Sequence, residues 1–173
     1  MRWATRASIH VDGAACAWVI RRDIDPDAEF VILNGPAADQ SLREMGFGHL
    51  ATGDLPADAT PFAMDGAELS RHTGPDGTDC CFETILRRYE VVDPTLWRIA
   101  EVVHEAVLWD ERYNAPEARG LDALVYGLSL VGNDEQVLAI TKPLFDGLYK
   151  RFYLQSLLGQ NRDWPAVGPI STD

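Results

Sequence analysis

Cysteine is scarce in this sequence of 173 residues: Cys16, Cys80 and Cys81 are the full set. An odd count, with two of the three adjacent, makes no disulfide framework, because neighbouring cysteines bridge only with backbone strain. Free thiols in a reducing compartment are expected; one bridge from Cys16 to Cys80 or Cys81 is the alternative. Positive charge is also short, with 15 Lys and Arg against 27 Asp and Glu and a net charge of −12. That balance argues against a general nucleic-acid partner or an anionic-membrane partner. It leaves room for a local basic pocket, since Arg2, Arg6, Arg21 and Arg22 cluster near the amino end. No uninterrupted apolar run is long enough to span a bilayer, and the opening "MRWATRASIH" has no apolar signal core. A cytoplasmic protein is expected, with its oligomeric state left open. A Gly-rich phosphate loop, HExxH and GxSxG are all missing. So are internal repeats and low-complexity linkers.

What is present suits one domain with a real core, spanning 1–158, followed by an extended or loose tail at 159–173. Residues 3–11 alternate loosely and predict a strand. A helix should follow to about Asp23, broken by "DPDA" at 25–28. "EFVIL", 29–33, is an unbroken apolar run, as expected of a strand buried on both faces. A short helix at 37–45, a loop at 46–59 and a brief strand at 60–64 complete the amino half. The carboxy half reads as four helices. One is capped by Asp79, one follows Asp93-Pro94, and two cover roughly 116–131 and 134–158. The expected class is α/β, bordering on α+β: a small, mainly parallel sheet packed with a helical carboxy half.

Several residues stand where chemistry is possible. His10 and Asp12 lie where a strand gives way to a helix, which is where ligands bind in open α/β sheets. Either Asp12 only starts the helix as its N-cap, or the pair belongs to a site. Glu68 and His72, four apart between glycines, form either a solvated turn or a second arm of that site. Glu83 fits a first-turn glutamate favoured by the helix dipole. His104 sits beside the apolar face of its helix, as a core histidine would, with Glu101 one turn earlier able to orient its ring.

The segments "HVDGAACAWVIRRDIDPDAEF", "TPFAMDGAELSRHTG", "CCFETILRRYEVVDPTLWRIAEVVH" and "APEARGLDALVYGLSL" occur in an order that resembles the carboxy-terminal domain of the ChrB chromate-resistance family. The resemblance runs from about Trp3 to about Tyr153. It implies a link to chromate resistance. It does not imply a DNA-binding part within these residues. His10, Asp12, Glu68, His72, Cys80, Glu83 and His104 match the family's recurring polar positions. Arg71, Gly13 and Val107 depart from it, standing where a histidine, a basic residue and an acidic residue are usual.

Two functions follow. The first is a metal-dependent hydrolase or lyase acting on a small polar or aromatic molecule. His10, Asp12, Glu68 and His72 would hold one divalent transition metal (zinc, manganese or iron). Glu83 or His104 would act as general base or complete the ligand shell, and Arg6, Arg22 and Arg71 would face the substrate. The second is a non-enzymatic sensor or binding module for chromate, another oxyanion or a metal, in which Arg6, Arg21, Arg22 and Arg71 are charge-assisted donors. The number of carboxylate and imidazole groups favours the enzyme at this level. A third possibility is a helical domain whose polar residues only cap helices.

Overall fold

The computed structural model describes residues 1–33, 55–75 and 77–159. Its amino half contains a three-stranded parallel sheet of β1 (Arg2–Arg6), β2 (Glu29–Leu33) and β3 (Ala59–Pro61), in the order β2-β1-β3. Trp3 is in register with Phe30 on one side and Thr60 on the other. The central position of β1 explains why Trp3, Ala4 and Thr5 are all buried.

The first strand is shorter than its alternation suggests. It stops at Arg6, and Ser8 takes a left-handed φ of 65°. The turn is held by Asp134, whose carboxylate accepts from the Ser8 amide at 3.0 Å and the Ile9 amide at 2.7 Å. Helix α1 (Val11–Val19) then crosses over, and a π-helical turn (Ile20–Ile24) ends it. Asp25 terminates that turn and accepts from the Trp3 indole at 2.8 Å and from the amino terminus at 2.7 Å. The predicted short helix at 37–45 and most of the loop at 46–59 lie outside the described residues.

A two-stranded hairpin of β4 (His72–Gly74) and β5 (Gly77–Asp79) follows, where a turn or loop was expected. Its three-residue strands carry Thr and Gly and are too short to show alternation. The helices are α2 (Cys81–Arg88), α3 (Pro94–Leu108), α4 (Glu117–Val131) and α5 (Asp134–Leu157). Asp93 caps α3 as expected, accepting from the Thr95 amide at 2.8 Å, with Pro94 at the first helical position. Asp79 does not cap α2. It ends β5 and binds Arg87 at 2.8 Å, while Cys80 takes the cap position. Asn133 and Gln136 form a reciprocal capping box at the start of α5.

Helix α1 is the centre of the core. Val11 and Gly13–Val19 are all buried, and α1 packs against α2, α3, α4 and α5. Ala14, Ala15 and Ala17 allow that close approach, and Trp18 stacks on Phe145 with ring centroids 5.5 Å apart. Cys16, Cys80 and Cys81 are free and buried. No helix among the described residues is long and apolar enough to cross a membrane.

Candidate functional site: a cavity at the carboxyl edge of the sheet

The connection leaving β1 turns toward β2, while β3 lies on the other side. The carboxyl ends of β1 and β3 therefore part, as at the switch point of open α/β sheets. A cavity of about 290 Å³ opens there. Its walls are the end of β1 with Arg6, the segment after β3 with Asp65, the Ser70-Arg71 step, and the first turn of α1 from His10 to Gly13. Val107 and Trp109 close one side, so the departure at Val107 places an apolar group on the wall.

His10, the first-turn amides of α1, Arg6 and Arg71 all line this cavity. His10 is the N-cap of α1 in an extended conformation and makes no side-chain capping bond. Among the described residues no side chain accepts from the amides of Val11, Asp12 or Gly13, so the positive end of the helix faces the cavity. The Arg6 guanidinium lies 4.0 Å from Asp65, and the exposed Arg71 also lines the cavity. His10 stacks on Tyr126 with centroids 6.1 Å apart. Burial, and then Arg6, lower its pKa from the ordinary 6.5, while Asp122 and Asp134 pull it back.

Asp12 lines the cavity but does not cap its own helix. It is the second residue of α1, and its carboxylate reaches α2, accepting from the Cys81 amide at 3.1 Å and the Phe82 amide at 3.2 Å. Cys16 donates its thiol to the same carboxylate at 3.7 Å. Burial raises the Asp12 pKa, and the Cys81 amide and Arg71 act against that rise. Asp12 is thus the cap of a helix 69 residues away in sequence.

The expected metal quartet is not gathered. Glu68 is exposed and bound to Arg88 at 3.1 Å, and His72 is exposed at the start of β4, opposite Asp79. Within the described residues, the groups of three with ligand atoms inside 4.8 Å are Asp12–Cys16–Cys81, Cys80–Glu83–His104 and His104–Glu105–Asp110. Of the expected quartet, only Asp12 belongs to one of them. Arg22 is also separate from Arg6 and Arg71. The π-turn directs it over the Tyr149 ring at 3.7 Å, beside a second cavity of about 250 Å³ that also borders Trp18 and Lys142.

Glu83 and His104 do meet, in the core. His104 Nδ1 lies 2.7 Å from Glu83 Oε2, and both side chains are essentially inaccessible. Glu83 also accepts from the Cys80 amide at 2.9 Å and the Tyr113 hydroxyl at 3.1 Å. His104 Nε2 lies 3.0 Å from Asp110 Oδ1. Burial and then the Glu83 charge push the Tyr113 pKa up to about 12. Glu101 does not orient the ring, because it pairs with Arg98. Asp110 takes that role, since Trp109 ends α3 with a left-handed φ of 55° and turns the chain back toward His104. Asp110 and Asp134 were not singled out by the sequence, because no spacing rule links them to their partners.

The profile described as "ChrB, C-terminal domain" matches residues 3–152. The chain is also 32% identical to Protein ChrB of Cupriavidus metallidurans over 153 residues, covering 87% of this chain and 40% of that protein. It therefore spans less than half the length of that curated relative. No solved structure matches it. The chain belongs to the ChrB C-terminal domain family.

Proposed function

We propose that this ChrB-like chromate-resistance domain is an oxyanion-binding module whose site is the cavity at the carboxyl edge of the sheet. One observation carries the reading: the first turn of α1, which has no side-chain cap, lines the same cavity as Arg6 and Arg71. A tetrahedral dianion presents oxygens in several directions, so it can accept from helix amides and two guanidinium groups together. Asp12 is committed to the α2 amides, whereas Asp65 pairs with Arg6 and Asp122 also lines the cavity, so an anion competes with Asp65 for the Arg6 guanidinium. A charge-assisted hydrogen bond contributes about 1.5–3 kcal/mol, or roughly tenfold to a hundredfold in affinity. Calorimetric titration with chromate and with sulfate should therefore show at least about tenfold weaker binding for Arg71→Ala. Unchanged affinity in both Arg71→Ala and Arg6→Ala would rule out this site.

His10 adds a pH dependence. Its lowered pKa keeps it neutral in the free cavity near pH 7. A bound anion favours imidazolium, so binding takes up a proton and tightens as pH falls. Sulfate affinity should rise severalfold between about pH 8 and about pH 6, and His10→Gln should flatten the slope. An equal slope in both proteins would count against His10 facing the anion.

The metal-dependent hydrolase or lyase is the second reading. The bonded Glu83–His104 pair, an acid–base couple, favours it. It is weaker because His10, Asp12, Glu68 and His72 do not share one point.

A further inference from the structure

We infer that Cys80, Glu83 and His104 form a binding site for one divalent ion of the zinc class, separate from the oxyanion cavity. Their sulfur, oxygen and nitrogen atoms lie within 4.8 Å of one another, and all three residues are buried. One zinc ion binds such ligands at about 2.0–2.3 Å, which requires this kind of clustering. The mixed donor set suits a borderline-soft ion and disfavours magnesium or calcium.

The surroundings support the ligands. The Cys80 amide and the Tyr113 hydroxyl fix the Glu83 carboxylate. Asp110 faces His104 Nε2, so a proton on Nε2 leaves the Nδ1 lone pair directed at the cluster. A carboxylate behind a ligating histidine orients the ring and raises its basicity. Without metal, the Nδ1–Glu83 contact of 2.7 Å is a hydrogen bond. Loading replaces that proton and the Cys80 thiol proton with the ion, and both protons leave to solvent. The other thiol cluster is less suited, because it offers no imidazole and the Cys81 thiol donates to the Leu69 carbonyl at 3.1 Å.

Cobalt(II) titration of the whole chain, after treatment with a chelator, tests the site. One equivalent should give a sulfur-to-cobalt charge-transfer band, and zinc should displace the cobalt. Cys80→Ser should abolish the charge-transfer band, while Cys16→Ser and Cys81→Ser retain it. Absence of the band in the unmodified chain would overturn the assignment without reference to any variant. Loss of the band in Cys16→Ser or Cys81→Ser, with retention in Cys80→Ser, would overturn it in favour of the Asp12 cluster.

Discussion

Replacing His104 by alanine should destabilise the metal-free fold by about 3–5 kcal/mol, the range for breaking a buried ionic pair by removing one partner. Glu83 would stay in the core with only the Cys80 amide and the Tyr113 hydroxyl as donors. The imidazole also fills fully buried volume, so a cavity adds to the loss. Urea unfolding monitored by Trp fluorescence gives the value directly. The double variant Glu83→Gln/His104→Ala should lose less than the sum of the two single changes, because Glu83→Gln removes the carboxylate that His104→Ala strands. A loss under about 1 kcal/mol for His104→Ala would show that Glu83 does not depend on this ring.

Asp12→Ala should cost about 2–4 kcal/mol, because two amides at the start of α2 lose their acceptor together. Cys81 and Phe82 are both fully buried, so water does not readily replace the carboxylate. Asp12→Asn keeps one acceptor oxygen and should cost less. Native-state hydrogen exchange locates the effect: the Cys81 and Phe82 amides should lose protection in Asp12→Ala. Faster exchange confined to the first turn of α1 would instead mean that Asp12 caps its own helix.

The contrast between those two outcomes shows where the sequence could be read and where it could not. The apolar run at 29–33 marked β2, but not the expected burial on both faces: β2 is an edge strand in which Glu29 is exposed, Phe30, Val31 and Ile32 are half-buried and Leu33 is buried. Asp93-Pro94 marked a helix start because capping is chemistry between near neighbours. Asp12 had the right residue type for a cap, but its helix is brought to it by tertiary packing, which leaves no periodic trace. The same limit hid Asp134, which holds the Ser8 turn from the start of α5. Asp110 was hidden by a non-glycine residue in the left-handed region at Trp109, a conformation that residue type does not announce.

The candidate site was legible in part. Strand-to-helix logic placed His10 and Asp12 at the carboxyl edge, and Arg6 and Arg71 face the same cavity. Arg22 failed because the π-turn rotates it toward Tyr149. Glu68 and His72 failed because the chain between them leads into an exposed hairpin, so their spacing of four does not become a helical turn.

The central claim is that a tetrahedral oxyanion occupies the cavity between Arg6, Arg71 and the first turn of α1. Anomalous diffraction from crystals soaked in chromate, or in molybdate as a heavier analogue, locates such an ion without reference to stability or activity. The account predicts one strong peak within hydrogen-bond distance of both guanidinium groups and the α1 amides, and its loss in Arg6→Ala/Arg71→Ala crystals. A fully occupied peak elsewhere on the molecule, with the cavity empty, would contradict it.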